Sequence, residues 1–141
     1  MDVSPEVWGD YYWFVFYTTA LTYEKNPSQQ NKDITKTLYL SLAKKLPCET
    51  CSGNFEQHLK KFPLDDEALK NNENLLNWVV NIHNEVNKIT RSKLVTSDEM
   101  RQKYLRIYNK KKINKQCTYY IYLIMFLVVL LCIILYFKLK N

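Results

Sequence analysis

The sequence predicts an all-α protein: a four-helix bundle plus a short fifth helix, followed by a C-terminal transmembrane helix. Three observations carry that expectation. Apolar residues make up 47% of the 141, enough to bury a real core. The only glycines are Gly9 and Gly53, too few for the hairpin turns of an all-β fold or for the glycine-rich phosphate loops. The last proline is Pro63, so residues 64–141 lack the strongest helix breaker.

Each element has a local reason. Ser4-Pro5-Glu6 reads as N-cap, first-turn proline and first-turn acid, opening a helix through about Tyr23. The polar stretch 25–33, KNPSQQNKD, reads as a loop. A second helix follows over 34–46 and is stopped by Pro47. The third starts at the cysteines and runs to Lys61, where Phe62-Pro63 ends it. In the fourth, over 74–89, Leu75, Val79, Ile82, Val86 and Ile89 recur at helical steps and form one apolar stripe. Thr96-Ser97-Asp98-Glu99 has the spacing of a capping box and opens a fifth helix through Tyr108. No useful stretch alternates with the period of a strand, and no internal repeat is present.

Charge divides the chain into a domain over 1–109, a basic juxtamembrane linker over 110–118, an apolar run over 119–137 and a tail over 138–141. Residues 1–109 hold 14 basic and 14 acidic side chains, so the net +6 resides in Lys110, Lys111, Lys112, Lys115, Lys138 and Lys140. These lysines bracket the apolar run and form no stripe on a folded face, which argues for a membrane and against nucleic acid. The run, YYIYLIMFLVVLLCIILYF, carries no charge. As a helix it would span roughly 28 Å, close to the ~30 Å of a hydrocarbon core. Four lysines precede it and two follow, which predicts a single-pass, C-terminally anchored protein with its folded domain facing the cytoplasm, on a cellular or virion membrane. The acidic start, MDVSPEVWGDYY, has no basic n-region and is not read as a signal peptide.

Chemistry concentrates at the cysteines. Cys48 and Cys51 form a C-E-T-C pair directly after Pro47, whereas Cys117 is juxtamembrane and Cys132 lies within the apolar run. His58 and His83 are the only histidines, and their spacing from the pair matches no zinc pattern, so no metal is expected. A thioredoxin-like site needs a βαβ context that is missing. The remaining reading is a redox pair at a helix N-terminus, where the macrodipole favours the thiolate; Lys44 and Lys45 add to this and Glu49 opposes it. A second constellation is His83-Asn84-Glu85-Val86-Asn87, five residues after Trp78. His83 and Asn87 share one helical side beside the apolar stripe. They are either satisfied core residues or partners of a planar, hydrogen-bonding cofactor. Trp13 is open in the same way, between core packing and a ligand contact.

Three motifs in register, W-G-x-x-x-W (Trp8, Gly9, Trp13), P-C-E-x-C (Pro47, Cys48, Glu49, Cys51) and W-x4-H-N-E-V-N (Trp78, His83 to Asn87), resemble the flavin-linked sulfhydryl oxidases of the Erv/ALR type over residues 5–108. The resemblance implies a helical bundle holding FAD. Electrons would pass from a thiol-containing protein substrate, of thioredoxin-like or CxxC type, to oxygen, yielding a disulfide and hydrogen peroxide. By position, Cys51 would lie against the isoalloxazine and Cys48 would exchange with substrate thiols. Trp8, Gly9, Trp13, Tyr17, Trp78, His83, Asn84, Val86, Asn87 and Lys93 would form the FAD site. Two positions depart from the family pattern: Tyr17 stands where histidine is usual, and Ser92, flanked by Arg91 and Lys93, stands where a phosphate-binding lysine is usual. No second C-x-x-C shuttle is present, which is similar to the minimal oxidases of large cytoplasmic DNA viruses. The family is commonly a homodimer through the first two helices, for which Tyr11, Tyr12 and Phe16 are candidates unless they are core. The rival reading is a tail-anchored helical interaction protein with a structural C-x-x-C; it leaves the co-occurrence of the three motifs unexplained.

Overall fold

The structure, a computed structural model, describes residues 3–140, without the side chains of 111–115, 117, 134, 137 and 140. Among the described residues it has five helices: α1 (Pro5–Thr22), α2 (Gln29–Lys44), α3 (Glu49–Lys61), α4 (Asn72–Thr90) and α5 (Ser97–Lys140). The chain divides into two units, residues 1–102 and the remainder from Lys103.

In the first unit the caps explain where helices begin. The Ser4 hydroxyl accepts from the Glu6 N–H and Pro5 takes the first turn, as the sequence predicts. α2 starts five residues earlier than its apolar pattern indicates, because the Ser28 hydroxyl accepts from the Asn31 N–H and draws the polar run after it into the helix. The capping box at Thr96 is complete, with the Glu99 carboxylate accepting from the Thr96 N–H at 2.9 Å and the Thr96 hydroxyl accepting from the Glu99 N–H at 3.2 Å. α4 ends on Arg91 in the left-handed conformation, φ 56°, with the Arg91 and Ser92 N–H groups both donating to the Asn87 carbonyl.

The bundle core holds both aromatic and aliphatic side chains. Phe16 stacks on Tyr39 at 5.2 Å, Tyr39 meets Trp78 edge-on at 5.2 Å, and Phe16 touches Phe55 at 5.8 Å, joining α1, α2, α3 and α4. The Tyr39 hydroxyl, fully buried, donates to the Phe16 carbonyl at 2.7 Å, so its burial leaves no donor unpaired. Leu75, Val79 and Ile82 of the predicted α4 stripe are buried, but the stripe stops there: Val86 is half-buried and Ile89 is 57% exposed. The last turn of α4 leaves the core to meet the loop after it.

From Ser97 to Lys140, α5 runs without a break through the segments that the sequence divides into a fifth helix, a linker and an apolar run. The fifth helix is therefore not a short separate element. Among the described residues no helix is long and apolar enough to cross a membrane. The side chains at positions 134 and 137 of the apolar run, and at Cys117 before it, are not among those described.

Candidate active site

The first part of the site is the opening turn of α3. Cys48 is its N-cap, in extended backbone, and the Cys48 sulfur accepts from the Cys51 N–H at 3.1 Å. The two cysteines form a disulfide, with Cα atoms 5.1 Å apart. Both are half-buried, so the bond sits at the surface of the bundle. The turn is tied to the end of α2 by the Ser52 hydroxyl, which donates to the Ala43 carbonyl at 3.1 Å. Tyr12 of α1 reaches the Lys45 carbonyl at a longer 3.5 Å. When reduced, both sulfurs lie in the first turn of a 13-residue helix, where N–H groups and the dipole favour a thiolate. Glu49, in the same turn, partly offsets that field.

The second part lies between α1 and α4. The Trp13 indole stacks on the His83 imidazole, with centroids 4.0 Å apart and planes 17° apart. The Tyr17 hydroxyl is 2.8 Å from His83 Nδ1. Trp13 and His83 keep exposed surface, whereas Tyr17 has none. At 4.0 Å the two rings are in van der Waals contact and leave no slot between them. Any further aromatic plane has to use an outer face of the pair.

The third part is the loop after α4. Asn84 forms a reciprocal pair with Val95: its Nδ2 donates to the Val95 carbonyl and its Oδ1 accepts from the Val95 N–H, both at 2.9 Å. Asn87, buried, donates through Nδ2 to the Lys93 carbonyl at 3.0 Å. The two asparagines thus clamp residues 91–96 onto α4. Lys93 projects outward and pairs with Glu99 at 2.9 Å, holding the Glu99 carboxyl below its usual range.

Other predicted residues fall elsewhere. Trp78 is core: its indole N–H donates to the Phe62 carbonyl at 3.0 Å and closes the end of α3 over α4. Trp8 donates to the Val3 carbonyl and packs on Tyr12, away from the Trp13–His83 pair. A Cβ at Gly9 would meet nothing within 4 Å, so no packing contact demands glycine there. Of the candidate dimer aromatics, Tyr11 is 73% exposed, Tyr12 is half-buried and Phe16 is core.

Sequence reasoning weighed His58 only as a zinc ligand and missed its place in the bundle. His58 is seven residues after Cys51, on the same side of α3 with Phe55 between them, and its buried Nε2 has no hydrogen-bond partner among the described residues. Burial holds its pKa below the usual value, against the pull of nearby Glu85. Glu85 is itself bridged by Lys88 and Lys61, hydrogen bonds that keep its carboxyl low. The 4-then-3 spacing of Cys51, Phe55 and His58 was the available signal.

The Erv1/Alr family model fits residues 10–105. The chain belongs to the Erv1/Alr family. It is 42% identical over 97 residues to a protein named a probable FAD-linked sulfhydryl oxidase of Acanthamoeba polyphaga mimivirus, covering 69% of this chain and 68% of that one. To the FAD-linked sulfhydryl oxidase of an African swine fever virus isolate it is 28% identical over 107 residues, covering 76% of this chain and 84% of the relative. The solved FAD-binding domain of Erv1 from Saccharomyces cerevisiae superposes with a TM-score of 0.65 over 72% of this chain and 93% of that structure, at 23% identity, which speaks to the Erv1 fold alone. The single Cys48–Cys51 pair is the minimal Erv1/Alr arrangement.

Proposed function

We propose that this chain is an FAD-dependent thiol oxidase that makes disulfide bonds in protein substrates. The observation that carries this reading is the half-buried Cys48–Cys51 disulfide capping α3 in an Erv1/Alr bundle. The residues present fit FAD. Trp13 and His83 form an aromatic platform with exposed outer surface, His58 holds a buried nitrogen in want of a partner, and the clamped loop carries the exposed cations Arg91 and Lys93. When bound, FAD accepts the electron pair of the reduced cysteines and passes it to oxygen, giving hydrogen peroxide.

The chain's own part is thiol–disulfide exchange. A substrate thiolate attacks the Cys48 sulfur, the Cys48–Cys51 bond breaks, and Cys51 leaves as a thiolate favoured by the helix N-terminus. A second substrate thiolate then attacks the mixed disulfide. The substrate disulfide forms and Cys48 departs carrying its electron pair, its sulfur received by the Cys51 N–H. Two electrons move from substrate to the cysteine pair. Trp13, His83 and Val86 would hold the cofactor, and Asn84 and Asn87 would hold the loop that carries Arg91 and Lys93. The purified full chain should be yellow and consume oxygen with dithiothreitol. A folded chain that stays colourless with added FAD overturns the reading.

Two further readings belong to the proposal. The run over 119–137 anchors the protein in a membrane with the bundle on the cytoplasmic side; its described apolar side chains are all exposed, as a lipid solvent requires. Protease added to the cytoplasmic face of intact membranes should digest residues 1–109, and full protection would contradict it. The chain also forms a homodimer through α1 and α2, where Val7, Tyr11 and Val15 on one helix and Ile34 and Leu38 on the other make exposed apolar stripes at helical spacing. Sedimentation of residues 1–109 tests this, with a charge at Tyr11 expected to give monomers.

A further inference from the structure

Tyr17 stands at a position where a direct FAD contact is expected, yet its side chain has no accessible surface. A ligand cannot touch it without moving its neighbours. What it does touch is His83, through a hydroxyl 2.8 Å from Nδ1 and ring centroids 5.7 Å apart at 57°. His83, by contrast, keeps exposed surface and lies flat on Trp13. The imidazole is therefore held on two sides: its plane by the indole, its rotation within that plane by the phenol.

We propose that Tyr17 is a positioning residue whose hydroxyl acts on the FAD site through His83, while its ring also lies against Trp13 with centroids 6.2 Å apart. A phenol O–H is a better donor than a neutral imidazole N–H. The basic imidazole nitrogen is the better acceptor. With Tyr17 as the donor to Nδ1, the neutral form of the imidazole carries its ring proton on Nε2. A fixed ring with a fixed tautomer presents FAD with one pattern of donor and face, at a smaller entropy cost than a freely rotating imidazole.

The inference rests on FAD being the ligand, and its test separates the two. Tyr17→Phe keeps the ring and removes the hydroxyl; His83→Ala removes the group through which it acts. FAD affinity of the full chain in detergent is measured by flavin fluorescence for the native protein, both variants and the double variant. Tyr17→Phe should weaken FAD about three- to tenfold, the worth of one hydrogen bond. In the His83→Ala background the same change should do nothing, because the two residues form one unit. An equal loss in both backgrounds, or no loss in the native one, overturns the proposal. A second readout needs no FAD. The 15N signals of His83 in the FAD-free chain should show Nδ1 unprotonated, and should move towards a tautomer mixture in Tyr17→Phe. Signals unchanged by that substitution overturn the proposal too. A native chain that binds no FAD would instead overturn the oxidase reading, while the nitrogen signals still decide the Tyr17–His83 link.

Discussion

The opening turn of α3 and the closing turn of α4 are built from different kinds of contact. At α3, the cap, the disulfide and the sulfur-to-amide bond all lie within residues 48–51, and one hydroxyl, Ser52, ties the turn to its neighbour helix. At α4, His83 is organised by residues 66 positions away or more on α1, and Asn84 and Asn87 are committed to a loop 6 to 11 positions ahead. Thiol exchange needs two sulfurs close together and a helix end, which a short segment supplies. A binding surface needs side chains held at fixed angles, which only partners from other elements supply.

The sharpest way to break this comparison is at the sulfurs. Cys51→Ser should abolish dithiothreitol oxidation, since no second sulfur remains to complete the electron pair, while the melting curve keeps one cooperative transition. Cys48→Ser should do the same and leave flavin bound. Oxygen-electrode turnover above background in either variant would contradict the assignment of chemistry to the α3 turn.

On the α4 side the largest loss should be in stability. Asn84→Ala removes both bonds to Val95, and at about 0.5–1.5 kcal/mol per bond it should cost about 1–3 kcal/mol. At about 4–8 °C per kcal/mol for a bundle of this size, calorimetry should register a clear drop in Tm. A melting point within experimental error of the native chain would mean that the loop is held by other contacts. Ser52→Ala, which severs the tie between α3 and α2, should cost less, about 1 kcal/mol.

His58 sharpens the contrast through pH. Burial lowers its pKa, so the unfolded chain binds this proton first. The neutral buried form is fully favoured above about pH 6.5, and that stability is lost as pH falls below 6.5 and through the lowered folded value. His58→Leu should flatten this part of the stability-versus-pH curve in urea titrations. Glu85 and Glu99, whose carboxyls are held low, lose their contribution only in the more acidic range below their usual values. A curve with the same slope in the His58 variant would show that another group titrates there. The smallest effect belongs to Tyr12→Phe: its bond to Lys45 is 3.5 Å long and exposed, and stability should stay within about 0.5 kcal/mol.

Much of the fold was legible because its signals are local. Ser4-Pro5-Glu6, Pro47, Phe62-Pro63 and the Thr96–Glu99 box act within a turn of themselves, and four of the five helices start within two residues of the expected place. α2 begins ahead of its apolar period because the Ser28 cap, not that period, sets its start. Ile89 fits the α4 stripe by spacing and is nonetheless exposed, since periodicity cannot say where a neighbouring helix ends.

By itself the sequence determined the helical class, the redox spacing of Cys48 and Cys51 and the charge-bracketed apolar run, because each depends on residues a few positions apart. Tertiary structure decided which nitrogen of His83 meets Tyr17, that Trp13 covers one face of that ring, that the two asparagines grip residues 91–96, and that His58 is buried with its Nε2 unpartnered among the described residues. Those outcomes depend on the approach of whole helices, set by how the aromatic core of Phe16, Tyr39, Phe55 and Trp78 fills its volume, and packing of that kind leaves no period along the chain.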